Sequence, residues 1–341
     1  MTTMLDVAQR AGVSVKTVSR VINNEPYVQD ALRERVKTAA RDLGYVPSAS
    51  ARSLRSRRSY QIQLISHIMT TPYVHAIQAG AMQTCQAEGY QLLVAVLPDC
   101  GDDPVDAFRQ RFEPQLATKK PDGVILVPPF ADIDGIGAWL TQQGVAVAKI
   151  GAQSTLDSVF SVRIDEFAAA RDLTSLLVEH GHRRIGFIRG RENESATEER
   201  FRGYRSVLGD HGLPFEEGLV TPGTFDFASG VEGGVRLLDR ADRPTAVFAS
   251  NDDMAAGVIV AGHRLGLVAP RDFSIVGFDD SAIAEKTWPA LTTVRQPVLA
   301  FGTVATTELI RTFEGAPGAS EPPNRILDHC LVLRDSVSAA P

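Results

Sequence analysis

The chain has 341 residues, 44% hydrophobic and 22% charged, a balance that is ordinary for a soluble globular protein and a length that suits two or three domains. Its apolar runs are strand-length and broken by Pro, which excludes a transmembrane helix, and no charged-then-apolar leader opens it, so the expected location is cytoplasmic. Residues 1–60 hold eleven Lys/Arg against five Asp/Glu, while the whole chain carries a net charge of −6, so a basic head precedes an acidic body and only the head suits a polyanion.

The head reads as three short helices. The first, about Met4–Ala11, places Leu5, Ala8 and Ala11 at helical spacing. Gly12 permits a tight turn, and Ser14 stands where an N-cap is wanted. In the second, about Val15–Asn23, Val18, Val21 and Ile22 form an inward stripe, and Val15, Lys16, Ser19, Arg20 and Asn23 share the other face. That short, polar, basic face suits a helix lying in a major groove; it also suits the solvated side of a small bundle. A third helix, about Asp30–Leu43, buries Leu32, Val36, Ala39, Ala40 and Leu43 before Gly44. Residues 47–58 then combine small side chains, four arginines and Leu54. They could form two helical turns when paired in a minor groove, or act as a flexible basic linker, since so short a helix does not hold alone in water.

From Gln61 the pattern changes to strands alternating with helices. Strand-like runs fall at 61–66, 90–96, 122–128 and 145–151, with helical stretches between them. A second series follows: helix 166–180, strand 184–189, helices 196–211 and 227–240, strand 245–249, helix 251–265 and strand 273–277. Repeated βα units predict parallel sheets covered on both faces, and two series predict two lobes with a ligand between them.

Other motifs carry little. The three cysteines (Cys85, Cys100, Cys330) form no CxxC and read as buried or incidental thiols. His180 and His182 close a helix and read as structural rather than metal-binding. Gly233-Gly234 suggests close packing. No phosphate-binding glycine loop and no GxSxG nucleophile motif is present, so neither catalysis nor a cofactor is expected.

The run from Met4 to Asn23, MLDVAQRAGVSVKTVSRVIN, together with Leu43-Gly-Tyr-Val-Pro47 and Ala51-Arg-Ser-Leu54, resembles the DNA-binding signature and hinge of the LacI/GalR family of bacterial transcription regulators. Gly181–Gly186, Ala249–Asp253 and Val276–Asp280 are similar to that family's core. The resemblance implies an all-α helix-turn-helix head with a hinge helix, followed by an α/β, two-lobed, periplasmic-binding-protein-like core of two doubly wound parallel sheets. The implied divisions are a head at 1–46, a hinge at 47–59 and an effector-binding and dimerisation domain at 60–341. Within it the first lobe takes about 60–161 and 292–322, and the second about 162–291 and 323–341. Val15, Lys16 and Arg20 match base-reading positions. Thr3, Ser14, Thr17, Ser19 and Asn23 match phosphate-contacting or framing positions, Ala51 belongs to the hinge helix, and Leu54 matches an intercalating leucine. Arg200, Asp279, Asn251 and Asp253 match effector contacts, Phe225 a stacking aromatic and Tyr73 a pocket-lining residue. Asp165 and Gln296 sit at crossovers, as hinge structure or as ligand contacts. Gln29 and Ser48 depart from the family pattern at framing positions, and Val127 and Pro128 make the first-lobe side of the pocket less polar. The implied protein is a homodimeric repressor of carbohydrate genes without membrane association, binding double-stranded operator DNA and controlled allosterically by a sugar. The alternatives are a purine- or other metabolite-responsive regulator of the same fold and, against the basic head, a sugar-binding transport protein.

Overall fold

Side-chain capping opens the first helix of the head in the computed structural model. It describes residues 2–22, 26, 28–45, 58–68, 71–98, 103–154, 156, 157, 159–314 and 324–340, which separate into a head, Met1–Ser59, and a body, Tyr60–Pro341. In the head, α1 (Met4–Ala11) opens on a reciprocal capping box. The Asp6 amide donates to the Thr3 hydroxyl, and the Thr3 amide donates to the Asp6 carboxylate at 2.7 Å. Gly12, at φ 63°, ends the helix in the left-handed region. Ser14 starts α2 (Val15–Ile22) by accepting from the Thr17 amide at 3.1 Å. α3 (Asp30–Asp42) stops one residue short of the expected Leu43, which caps it, and Gln29 makes no side-chain cap bond. Val7, Ala8, Ala11, Val18, Val21, Val36 and Ala39 form the core of the head, and Leu32 and Leu43 are half-buried beside it. The Arg35 guanidinium donates to the Ala11 carbonyl at 2.5 Å, tying α3 to the end of α1. The hinge lies almost wholly outside the described residues.

The body contains two parallel sheets. The first joins β1 (Gln61–Ser66), β2 (Gln91–Val96), β3 (Gly123–Leu126), β4 (Ala146–Ile150), β5 (Phe160–Arg163) and β11 (Asn324–Ile326) in the order β11-β5-β4-β3-β1-β2. Its helices are α4 (Pro72–Glu88), α5 (Pro104–Lys119), α6 (Ile136–Gln142) and the late α12 (Val298–Glu314). α4 and α12 cross where each has a glycine. A methyl group at Gly80 would stand 2.0 Å from the Leu299 carbonyl, and one at Gly302 would stand 2.0 Å from the Ile77 carbonyl. Strand pairing carries the first sheet to residue 163 and again to 326, slightly beyond the expected limits of 161 and 322.

The second sheet joins β6 (Ile185–Ile188), β7 (Val220–Thr221), β8 (Ala246–Ala249) and β9 (Ser274–Val276) in the order β7-β6-β8-β9. α7 (Glu166–Glu179), α8 (Ser195–Asp210), α9 (Phe227–Leu238), α10 (Asp252–Arg264) and the short α11 (Ala282–Lys286) pack around it. An antiparallel pair, β10 (Thr293–Arg295) and β12 (Cys330–Val332), continues beside β9 through bridges at Thr292 and Arg295. Buried His182 fastens the C-terminal tail: its Nδ1 meets Thr245 Oγ1, and its Nε2 lies 3.0 Å from Ser274 Oγ and 3.1 Å from the Ser338 carbonyl. Gly234 lets α9 close on α10, because a methyl group there would stand 2.7 Å from Ala261 Cβ. No helix among the described residues is long and apolar enough to cross a membrane.

Candidate functional site

The carboxyl ends of both parallel sheets open onto one cavity of about 160 Å³ within the body, the place where open α/β sheets gather ligands. The first lobe lines it with His67, Ile68, Thr71, Tyr73, Val127, Pro128 and Gly151; the second lobe brings nearly all the charge. The first-lobe wall is accordingly the less polar one.

Arg200, projecting from α8, organises the charged wall. It is 4% exposed. Its Nε donates to Glu166 Oε2 at 2.8 Å, its Nη1 donates to the Ser250 carbonyl at 2.5 Å, and its Nη2 lies 3.9 Å from Asp279 Oδ1. The guanidinium also stands 3.6 Å from the centroid of the Phe278 ring, a cation–π contact. Burial alone would lower the Arg200 pKa, but the charges of Glu166 and Asp279 more than offset it, so the group is firmly cationic. Asp279 accepts from Gln296 Nε2 at 2.7 Å. Burial pushes its carboxyl up to about 7, against the opposing pull of Arg200 and this hydrogen bond.

Phe225 and Asp279 both hold positive φ, at 61° and 104°, strained for non-glycine residues and characteristic of functional loops. A methyl group at Gly190 would fall 1.9 Å from the Phe225 ring, so glycine there makes room for it. The ring lines the cavity and also packs against the second-lobe core. Asn251 caps α10 through the Met254 amide and donates from Nδ2 to the Phe225 carbonyl at 2.9 Å. It thus fixes the aromatic loop while facing the cavity. Tyr73, at the start of α4, packs edge-on to Phe301, and burial drives its phenol well above the ordinary range.

The structure brings Tyr73, Arg200, Phe225, Asn251, Asp253 and Asp279 together on the cavity wall. Asp165 stands apart from that lining: it is exposed and caps α7 through the Ala168 amide. Gln296 is 5% exposed and acts behind the wall by holding Asp279. Glu166, Arg191, Glu194, Thr224 and Asp226 also face the cavity, although sequence reasoning did not single them out. Among the described residues three hydrogen bonds cross between the lobes beside it, one of them from the Ser195 hydroxyl to the Gly151 carbonyl at 3.5 Å. Arg191 Nη1 donates to His67 Nε2 at 2.7 Å, and the Ser195 amide at the start of α8 donates to Asp132 Oδ2 at 3.1 Å. Burial and the nearby Asp132 charge raise the Glu194 carboxyl to about 7. Among the described residues, no cluster of three or more His, Cys, Asp or Glu is arranged to hold a metal ion.

On the head, Ser14, Val15, Lys16 and Arg20 are exposed along α2, with Thr17 and Ser19 half-buried between them. The Ser14 and Thr17 hydroxyls meet at 2.9 Å, and Thr3 is exposed at the start of α1. Val18 and Val21 face the core, so the helix presents one polar, basic side. Asn23, Ala51 and Leu54 lie outside the described residues.

A helix-turn-helix head combined with a two-lobed, cavity-bearing body defines a ligand-responsive DNA-binding regulator. Residues 3–48 match the model for bacterial regulatory proteins of the lacI family, and residues 174–337 match the periplasmic binding protein-like domain. The chain is 33% identical to the HTH-type transcriptional regulator AscG of Escherichia coli K12, over 99% of both chains. It aligns with a structure titled transcriptional regulator CelR-cellobiose complex at a TM-score of 0.73 and 33% identity, covering 98% of this chain and 100% of that one. It also aligns with the lac repressor dimer bound to operator and the anti-inducer ONPF at a TM-score of 0.83 and 26% identity, covering 99% of each. The chain belongs to the lacI family and is a DNA-binding transcriptional regulator, not an enzyme.

Proposed function

We propose that this regulator is a cytoplasmic repressor of carbohydrate-utilisation genes that binds a pseudo-palindromic operator as a homodimer and is controlled by a sugar held between its lobes. The observation that carries the sugar reading is the Arg200–Asp279 pair on the wall of a cavity that also presents Phe225 and Asn251. A buried cation beside a carboxylate binds adjacent hydroxyls through charge-assisted hydrogen bonds, and an aromatic face covers the apolar side of a sugar ring. The relatives support it: one is solved with cellobiose, another as a dimer on its operator.

In this reading Lys16 and Arg20 meet base edges in the major groove. Thr3, Ser14, Thr17, Ser19 and Asn23 fix the register on phosphates. The segment around Ala51 and Leu54 forms a helix only when paired in the minor groove, and Leu54 wedges between base pairs. A change in lobe closure of on the order of 1–3 kcal/mol is enough to bias so marginal a helix. Fluorescence anisotropy on a palindromic operator, with and without candidate sugars, tests the proposal. Salt-sensitive duplex binding that a sugar alters supports it; control by a purine and by no sugar would transfer the same mechanism to the other metabolite class.

A further inference from the structure

Five carboxylates and two guanidiniums line the cavity: Glu166, Glu194, Asp226, Asp253 and Asp279 against Arg191 and Arg200. Both cations are committed. Arg200 is held by Glu166, the Ser250 carbonyl and Asp279. Arg191 donates to the Thr224 carbonyl at 3.1 Å and to His67, and lies 3.9 Å from Glu194. Asp226 is satisfied by the Thr224 hydroxyl at 2.6 Å and the Ser229 amide at 2.8 Å. Two acceptors remain unspent. No group among the described residues hydrogen-bonds the Asp253 carboxylate, and the Glu194 carboxylate has only its ion pair with Arg191. In its ionised form a carboxylate can only accept, so a ligand that pairs with these groups in that form must donate. Hydroxyl groups do so; the phosphate of a sugar phosphate and the carboxylate of a uronate cannot, and no guanidinium fork with both nitrogens free awaits either.

We propose that the cavity takes an uncharged, hydroxyl-rich ligand and excludes phosphorylated and carboxylated forms of that ligand. This rests on the sugar-sensor reading above and specifies it. The regulator then reads its sugar before any phosphoryl transfer, and a kinase-type reaction that adds phosphate removes the signal. Burial already raises the carboxyls of Glu194 and Asp279, and an anionic ligand beside them would disfavour their charged forms further.

The test uses the full chain and a panel of neutral mono- and disaccharides, including glucose, ribose and cellobiose, beside glucose 6-phosphate, ribose 5-phosphate and glucuronate. Thermal shift ranks the panel, and calorimetry measures the best matched pair. The neutral member is expected to bind at least about tenfold more tightly than its anionic partner, the effect of one poorly screened like-charge contact. Glu194→Gln combined with Asp253→Asn should narrow that ratio severalfold. An anionic sugar as the tightest ligand, or a ratio unmoved by the double substitution, overturns the inference and leaves the sugar-sensor reading standing. No binding by any panel member overturns both.

Discussion

Replacing Arg200 by Met is the most direct test of the charged wall. The substitution keeps much of the aliphatic stem but removes the guanidinium from Glu166, which is itself 4% exposed, and from the Ser250 carbonyl. A buried ion pair broken from one side leaves its other charge uncompensated, at a cost of about 3–5 kcal/mol. Removing both charges, as Arg200→Met with Glu166→Gln, should cost less than the sum of the two single substitutions, with a coupling of about 1–3 kcal/mol. Urea unfolding followed by circular dichroism gives these differences from the midpoint of the body's transition, provided that the slope is unchanged. Ligand binding supplies a second readout: both variants should lose the sugar-dependent change in operator binding, because the partial rescue restores the fold and not the cation. Arg200→Lys should also fail to bind sugar, since a point charge cannot reproduce the fork that spans Glu166, the Ser250 carbonyl and Asp279. A single variant within about 1 kcal/mol of the parent, or single and double effects that simply add, would refute the claim that Arg200 compensates the buried Glu166 charge.

In the head, Lys16→Ala or Arg20→Ala should each weaken specific operator binding by about 1–3 kcal/mol and relax base preference; equal loss on random duplex in anisotropy would assign the residue to phosphate instead. In the body, burial, then the charge of Asp279, raises the Asp252 carboxyl to about 8. Because its folded pKa lies above the unfolded one, the native state holds the extra proton between them, and stability falls as pH rises from about 4 to about 8. Asp252→Asn should remove that contribution, so thermal melts from pH 5 to 8 should show the parent losing stability relative to the variant; parallel curves would exclude the shift. Gly302→Val drives a side chain into the Ile77 carbonyl and should cost about 1–3 kcal/mol by overpacking, whereas an unchanged melting temperature would mean that α4 and α12 separate freely.

The helices up to α10 and the central strands were legible in the sequence for a local reason, whereas α11 and α12 were not read as helices. β3, β6 and β8 are buried on both faces, and such strands read as continuous apolar runs bounded by turn residues. β5, β7, β10, β11 and β12 are each exposed or half-buried at one end or more, so no fully buried apolar run marks them, and partners distant in sequence define them. The cavity follows the same division. Arg200, Asn251 and Asp279 lie in recognisable runs, but Glu166, Arg191, Glu194 and Asp226 acquire their roles only when α7, α8 and the loops of the second sheet converge. The neighbours Asp165 and Glu166 illustrate the limit. One residue of helix turns a side chain by about 100°, so Asp165 caps α7 in solvent while Glu166 points inward to Arg200. Composition cannot distinguish two adjacent acids at a helix start; the rotation of the helix does.

The two walls of the cavity do different physical work. The second lobe holds its polar groups in place before any ligand arrives: Arg200 by three contacts, Asn251 by its cap and the Phe225 carbonyl, Asp279 by Gln296. Pre-ordered groups of this kind reduce the ordering cost of binding and therefore set affinity. The first lobe offers mainly apolar surface, so it gains most by covering a ligand already seated on the other wall. The contacts that join the lobes beside the cavity, Asp132 with the start of α8 and His67 with Arg191, form only when the lobes are near. Arg191 and Glu194 take part in that junction and also face the cavity, so a ligand that engages Glu194 changes the balance of charges holding the lobes together. Affinity and closure thus meet at a few residues of α8 and the loop before it, where binding can be converted into a change of lobe geometry.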